Sequence, residues 1–255
     1  MVSADSVPWT DPDIARLEEE LAGLGEELAQ AEAELAEARA LLAAFTQAHG
    51  RLMAPLFAEL DEIEAQIAEF CAATSGWPDD LRDAREARAR ARESAGAADT
   101  AAGQAPVPAP PVEARPLYRA LARRCHPDLG LNEADRERRE AFMVRVNDAY
   151  SHGDVDLLRR LAAEWDATGA AAPADASRDR LSRLRASVDA VRGRLAQVRA
   201  ELAQMAQTEL GQLLFVEHQG DMRAALKRLE ALAAQVRSTI AERRQVFADL
   251  MAGRR

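Results

Sequence analysis

The chain has 255 residues, a formal net charge of −10, 30% charged residues and only 4% aromatic residues. This composition is typical of long helices and argues against a large globular core. Two cysteines, Cys71 and Cys125, are too few for a disulfide framework or a four-ligand zinc site. The sequence has no signal-peptide pattern and no apolar run long enough to span a membrane. We therefore expect a soluble, cytoplasmic protein without a membrane partner.

The charges are unevenly distributed along the chain. Residues 1–100 contain 22 acidic and 8 basic side chains, whereas residues 177–255 contain 9 acidic and 15 basic side chains. The acidic part would repel nucleic acid and the basic part would attract it only weakly, so we expect no nucleic-acid partner. The distribution also predicts that the two ends of the chain attract each other.

Residues 1–78 form the first predicted arm, a coiled coil. Pro12 suits a first helical turn, and Asp11 or Asp13 can cap it. Apolar residues then recur at alternating spacings of three and four, which places them on one helix face and predicts a coiled-coil seam. They are Leu17, Leu21, Leu24, Leu28, Ala31, Leu35, Ala38, Leu42 and Phe45.

Gly50 and Pro55 interrupt this seam, and a second apolar stripe runs from Leu56 to Phe70. Proline lacks the amide hydrogen that a helix interior requires, so we expect the helix to kink or reverse at Pro55. A bent rod and a helical hairpin both fit, and the hairpin is favoured. Residues 79–112 follow as a charged helix without an apolar face, expected to be solvated or marginal, and a Pro/Ala-rich linker.

Residues 176–255 form the second predicted arm. An apolar seam runs from Leu181 to Met205, and another runs from Leu226 to Phe247. Gly220 and Asp221 fit the end of one helix and the cap of the next, so we expect an antiparallel helical hairpin or coiled coil. The arms can pair within one chain or between two chains; intrachain pairing is favoured, and a homodimer stays open.

The central segment, residues 113–168, is predicted to contain two antiparallel helices joined by an exposed loop, and a short third helix. The first helix must stop by His126, because Pro127 disfavours a helical conformation in the residue before it. Asn132 fits the cap of the second helix. The histidines outside the loop, His49, His152 and His218, stand apart from one another and from acidic pairs, so we expect no metal and no cofactor.

Two stretches of this segment, "LYRALARRCHPDLG" and "FMVRVNDAYSHGD", resemble the J-domain of the DnaJ family of co-chaperones. The resemblance lies in the basic helix, in the His-Pro-Asp tripeptide after it, and in five residues at fitting positions: Tyr118, Leu121, Asn147, Ala149 and Tyr150. A Pro-rich stretch replaces the usual initial helix of that family, and Leu129 and Cys125 replace its usual lysine and aromatic residue. We expect a shortened J-domain that one of the helical arms supports.

The resemblance implies that the chain binds a DnaK-type heat-shock chaperone and stimulates its ATP hydrolysis. Asp128 would offer a carboxylate to an arginine of that ATPase, Pro127 would fix the loop, and His126 would hold the loop or meet the partner directly. Four arginines would steer association with an acidic partner surface, and all seven residues are predicted partner-binding residues. The arginines are Arg115, Arg119, Arg123 and Arg124.

The full prediction is an all-α chain in which long coiled-coil or helical-hairpin arms flank a small J-domain-like helical module. The arms would bind client proteins or mediate oligomerisation. No nucleophile–base pair or phosphate loop is present, so we expect no enzymatic activity in the chain itself. The alternative is a structural coiled-coil adaptor in which a degenerate J-like segment only connects the two arms.

Overall fold

The computed structural model describes residues 12–105, 111, 113–130, 132–168 and 177–253. It is 91% helical, with eight helices and no strand in these ranges, so the all-α prediction is confirmed. None of the helices described combines the length and the apolarity needed to cross a membrane. The expected cap at Asp11 and most of the Pro/Ala-rich linker lie outside the described residues.

The described residues contain eight helices, numbered here in sequence order. They are α1 (Pro12–Ser75), α2 (Pro78–Gly103), α3 (Ala114–Cys125), α4 (Glu133–Ser151), α5 (Val155–Thr168), α6 (Ser177–Gln207), α7 (Glu209–Gly211) and α8 (Met222–Met251). A short 3-10 turn, Pro127–Leu129, lies between α3 and α4, and a π-helical segment, Gln212–Glu217, follows α7.

These helices form two compact units, and each unit combines two distant parts of the chain. The first unit contains Met1–Ala40 and Pro108–Gln207, and the second contains Leu41–Val107 and Thr208–Arg255. Helix α1 contributes to both units. The segments predicted from the sequence were each one continuous stretch of chain, whereas each compact unit combines two separate stretches. The reason is that α1 packs with helices from other parts of the chain.

In the first unit, α1 pairs with α6 in parallel. Ile14 and Leu17 pack with Leu184 and Val188. Farther along both helices, Leu28 and Leu35 pack with residues of α6 that have higher numbers, namely Val191, Leu195 and Val198. Ion pairs flank this seam, as between Glu27 and Arg199 at 3.1 Å. The predicted attraction between the acidic and basic ends of the chain is thus found in the structure.

The three-helix module α3–α5 packs on the same part of α1. Its core includes Tyr118 and Leu121 of α3, Val146 of α4 and Leu158 of α5, all of which are buried. Helix α1 adds three small side chains to this core, Ala29, Ala33 and the partly buried Ala36. Small residues let two helices approach closely. Helix α1 therefore supports the module, which has no initial helix of its own.

In the second unit, α1 continues as one helix through Gly50 and Pro55, so the chain does not reverse there and the expected hairpin at Pro55 is wrong. An internal proline costs a helix about 3 kcal/mol. Buried apolar side chains on both sides of Pro55, such as Phe45 and Met53, each contribute about 1.5–3 kcal/mol when fully buried. Packing of this helix face therefore outweighs the lost hydrogen bond.

The chain reverses at Gly76 instead, whose φ of +68° is accessible mainly to glycine. Helix α2 then returns along α1, and Ala84, Ala87 and Ala91 are buried there. Arg88 adds contacts to Glu62 at 2.5 Å and to Glu69 at 2.7 Å. Most other residues of α2 are exposed, as expected of a solvated helix, but the three alanines at spacings of three and four form a narrow apolar face that the sequence analysis did not recognise.

Helix α8 also packs on α1. Ala225 and Leu229 belong to the cluster of Phe45 and Met53, while Ile240 packs with residues of higher number, Ile63 and Ile67, so α8 runs parallel to α1 within this unit. Gly220 has a φ of +80°, and the Asp221 side chain accepts hydrogen bonds from the amides of Arg223 and Ala224, as the predicted turn requires. The seam of α6 packs on α1 in the first unit, and the seam of α8 packs on α1 in the second unit.

Candidate partner-binding site

The loop after α3 is a tight turn. His126 is extended, with φ −62° and ψ 133°, and Pro127–Leu129 form a single 3-10 turn. Two backbone hydrogen bonds close it, from the Leu129 amide to the His126 carbonyl at 3.1 Å and from the Gly130 amide to the Pro127 carbonyl at 2.9 Å. A Cβ atom on Gly130 would lie 3.0 Å from the backbone of Arg136, so this position requires glycine. The predicted helix end and loop are therefore present, but the expectation of an exposed loop is wrong, because His126 and Gly130 are buried and Pro127, Asp128 and Leu129 are only part-exposed.

His126 lies inside the molecule, with only 5% of its surface exposed. Its Nδ1 atom accepts a hydrogen bond from the Asp128 amide at 3.1 Å. Its Nε2 atom lies 3.7 Å from Oε1 of Glu32 in α1, which is too long for a hydrogen bond but places this edge of the ring opposite the carboxylate. The ring therefore serves the first of its two expected roles, holding the loop, and its burial leaves little surface for a direct partner contact.

Glu32 connects this loop to α6. Its Oε1 atom accepts hydrogen bonds from Arg194, with N–O distances of 2.7 Å. Burial raises the pKa of the Glu32 carboxyl, but the contacts with His126 and Arg194 outweigh that effect and hold the pKa below its ordinary value. A buried charge is tolerated when it is paired and hydrogen-bonded in this way. The His126 ring thus faces a carboxylate that stays ionised at neutral pH.

Asp128 differs from His126 because it reaches solvent. Its side chain is 25% exposed. The nearest basic side chain to its carboxylate is His126, with 3.8 Å between Oδ2 and Nδ1, and no arginine or lysine among the described residues pairs with it. The backbone is fixed by the turn, while the carboxylate has hydrogen-bonding capacity left. This is the geometry that a charge-assisted contact with an outside arginine needs.

Three of the four predicted steering arginines lie on the face of α3 that contacts α1. Each meets an acidic or amide side chain there, so part of the positive charge of this face is neutralised within the chain. The pairs are Arg115 with Glu37 at 2.8 Å, Arg119 with Gln30 at 2.5 Å and Arg123 with Glu26 at 3.0 Å. The fourth, Arg124, pairs with Asp166 of α5.

Two residues that sequence reasoning missed bring the loop close to α1. Leu129 joins the apolar cluster between α1 and α6, and a Cβ atom on Gly25 would lie 3.3 Å from its Cδ2 atom. Glycine in a helix interior is unfavourable by about 1 kcal/mol, which is a signal of close approach that the sequence did carry. For Glu32 and Arg194 the sequence carries no comparable signal, because nothing in the local sequence distinguishes them from the other glutamates and arginines of α1 and α6.

The core of the module contains the residues that gave the resemblance. The Tyr118 hydroxyl donates a hydrogen bond to Oδ1 of Asn147 at 2.8 Å, and its ring packs against Tyr150 with 4.7 Å between centroids. Burial is the main reason that the pKa of the Tyr118 phenol is raised. These residues therefore hold α3 against α4 and keep the two ends of the loop in place.

The described residues offer little covalent chemistry near this loop. Burial raises the pKa of the Cys125 thiol to about 12, and its Sγ donates to the Leu121 carbonyl at 2.8 Å, so this thiol is not a nucleophile at neutral pH. No group of three or more histidine, cysteine or acidic side chains in the described ranges could hold a metal ion.

Comparison with known proteins adds no relative. No protein-family model matches the sequence, and neither a curated protein nor a solved structure matches it significantly. The resemblance to the DnaJ family therefore depends on the residues of the module alone, and the chain is not assigned to that family.

Proposed function

We propose that this chain is a co-chaperone that binds a DnaK-type heat-shock ATPase through the His126-Pro127-Asp128 loop and stimulates its ATP hydrolysis. The observation that carries the proposal is the state of Asp128, a part-exposed carboxylate on a rigid turn without an arginine or lysine partner among the described residues. Rigidity matters because a fixed turn loses little conformational entropy when a partner binds.

The surroundings of the loop support the same function. A partner arginine could meet the Asp128 carboxylate in two hydrogen bonds, which fixes orientation as well as adding affinity. Arg123, in the last turn of α3, places a half-exposed guanidinium near the loop beside its partner Glu26, and this group can interact with an acidic partner surface. In this proposal the chain works in the cytoplasm with a protein partner, without nucleic acid, a membrane or a cofactor, and the hydrolysis belongs to the ATPase.

The α1-based helical pairs are proposed to serve client proteins or oligomerisation. Large apolar side chains remain exposed on them, for example Phe57, Trp77 and Met251. Isolated exposed apolar residues are common, so these positions support client binding only in combination with the loop. A homodimer stays compatible with the same surfaces.

One observation favours the alternative, a structural adaptor. Arg115, Arg119 and Arg123 already contact α1, and an adaptor whose J-like segment only connects helices needs those contacts and no others. The adaptor, however, gives no role to the unpaired carboxylate of Asp128. We therefore prefer the co-chaperone and treat the adaptor as the outcome that a binding experiment would reveal.

The decisive experiment measures binding of the full chain to an ATP-loaded DnaK-type chaperone, together with single-turnover ATP hydrolysis. Asp128→Asn removes the charge while keeping the shape. A hydrogen bond to a charged group contributes about 1.5–3 kcal/mol, so we expect affinity and stimulation to fall about tenfold to a hundredfold. The free energy of unfolding should change by less than about 0.5 kcal/mol, because Asp128 makes no arginine or lysine contact within the described chain.

Asp156→Asn is the matched control. Asp156 lies in the first turn of α5, in the same module, and forms an exposed pair with Arg159. The control should bind like the wild type. Equal binding by Asp128→Asn and wild type would refute the proposal, and a wild-type chain that ignores the ATP-loaded chaperone would support the adaptor instead.

A further inference from the structure

We propose that Glu32 and Arg194 are positioning residues for the His126-Pro127-Asp128 loop, and that they make the geometry of this loop depend on the pairing of α1 with α6. The inference deepens the proposed function and rests on it for the role of Asp128. It concerns two residues from outside the central module, one from each of the helices that support it.

The contacts form a chain of four groups. Arg194 of α6 donates to Oε1 of Glu32 in α1 at 2.7 Å. The same Oε1 atom faces Nε2 of His126 at 3.7 Å. Nδ1 of that ring then accepts the amide hydrogen of Asp128 at 3.1 Å. The chain therefore runs from a seam between two long helices to the backbone of the residue that would meet the partner.

The direction of the last hydrogen bond fixes the protonation state of the ring. A neutral imidazole carries one hydrogen, and the nitrogen that accepts a hydrogen bond cannot be the one that holds it. Because Nδ1 accepts from the Asp128 amide, the hydrogen must be on Nε2. That atom faces the Glu32 carboxylate, whose negative charge stabilises an N–H directed toward it. Glu32 thereby selects the tautomer that the loop requires.

Arg194 has a separate task, which is to keep Glu32 ionised and oriented. The side chain of Glu32 is only 11% exposed, so its charge would be costly without a cationic partner. Arg194 supplies that partner and also lies 3.7 Å from Glu201 of its own helix, which limits its movement. Since Arg194 comes from α6, separation of α6 from α1 would remove the support of the Glu32 carboxylate.

The consequence for the loop follows from the tautomer. Without the Glu32 charge, the ring can place its hydrogen on Nδ1, where it opposes the Asp128 amide hydrogen. The amide then loses its acceptor, and the Nδ1 hydrogen is free to approach Oδ2 of Asp128, which lies 3.8 Å away. Both changes act against binding, because the first loosens the turn and the second engages the carboxylate internally.

The test uses Glu32→Gln, which keeps the shape of the side chain and removes its charge. Long-range proton–nitrogen NMR spectra of the full chain should report the Nε2–H tautomer of His126 in the wild type and a mixture in the variant. Hydrogen exchange of the Asp128 amide should become about tenfold faster, the effect of losing one hydrogen bond. Arg194→Gln, which removes the cationic partner of Glu32, perturbs the same network from α6 and should shift both signals in the same direction.

Glu27→Gln is the matched control, because Glu27 also links α1 to α6, through Arg199, in an exposed position away from His126. Its spectra and exchange should equal those of the wild type. An unchanged tautomer and unchanged Asp128 exchange in Glu32→Gln, with helicity preserved, would overturn the inference.

Binding of the ATP-loaded chaperone separates this inference from the function on which it rests. We expect Glu32→Gln to weaken binding about threefold to tenfold, less than Asp128→Asn, because the carboxylate is displaced rather than removed. A loosened loop with unchanged affinity would overturn the positioning role. If the wild type itself does not bind, the proposed function fails, and the NMR measurements still decide whether Glu32 holds the loop.

Discussion

Glutamates of α1 neutralise part of the positive charge of the α3 arginines, and removing them should expose that charge. Glu26→Gln combined with Glu37→Gln removes the acidic partners of Arg123 and Arg115, which lie 3.0 Å and 2.8 Å away. The two guanidinium groups then face solvent without a counter-charge. If the basic face of α3 steers association with an acidic chaperone surface, the double variant should associate faster than the wild type.

The stability cost of this change is small. The four side chains of these pairs are between 35% and 54% exposed, and ion pairs at such exposure contribute about 0.2–1 kcal/mol each. The loss is thus at most about 2 kcal/mol. Buried apolar residues hold α3 on α1 beneath the ion pairs, including Ala33, Ala122 and Leu121, so the helices should stay docked.

The gain in association rate follows from Coulomb's law. Two unit charges 10 Å apart in water attract with about 0.4 kcal/mol. Two arginines, each facing one acidic group at that distance in the encounter complex, gain about 0.8 kcal/mol, which is about a fourfold increase in rate. The effect should disappear near 1 M salt, where the screening length falls to about 3 Å.

Stopped-flow or surface-binding measurements of the association rate, at a series of salt concentrations, check this prediction. Glu27→Gln with Glu20→Gln is the control, because it changes the net charge of the chain equally but faces Arg199 and Arg192 of α6. Equal low-salt rates for the double variant and the wild type would refute the idea that α1 masks a steering surface. A gain in the control as well would point to net charge alone.

Two further predictions concern stability. Ala33→Leu places a larger side chain between α1 and the module. We expect the free energy of unfolding, measured with denaturant, to fall by about 1–3 kcal/mol, and hydrogen exchange in α3 to become faster. Unchanged stability would exclude close packing there. The pKa of Glu32 lies below its ordinary value of 4.5, so its contribution is present above pH 4.5 and is lost as the pH falls through the lower, folded-state value. Unfolding measured over this acid range should therefore depend less on pH in Glu32→Gln, and identical slopes would contradict the pairing.

Local signals in the sequence were sufficient for the elements of the central module. Pro127 ends α3 at Cys125, and Asn132 accepts from the Asp135 amide at 2.8 Å, as its predicted capping role requires. Gly220 and Asp221 likewise form the predicted turn. These features depend on backbone geometry within a few residues, which explains why sequence reasoning found them.

Pro55 and α2 show where local reasoning fails. A proline inside a helix is unfavourable by itself, but the apolar residues around it are buried against α8, and the sequence does not state that partner. The sequence analysis found no apolar face in the charged helix, yet Ala87 and Ala91 are buried against α1. In both cases the stabilising contacts come from another helix, and the local spacing of residues does not identify that helix.

The amino-acid sequence by itself determined that the chain is helical, where α1, α4 and α8 begin, where α3 ends, and which tripeptide occupies the loop after α3, because caps, glycines, prolines and apolar spacing act within a few residues. Only the tertiary structure decided that α6 and α8 pack on α1, that α1 contacts the arginines of α3, and that Glu32 and Arg194 lie behind His126. Heptad seams accept many partners of similar shape, and the choice among them depends on the sum of packing and charge over the whole chain.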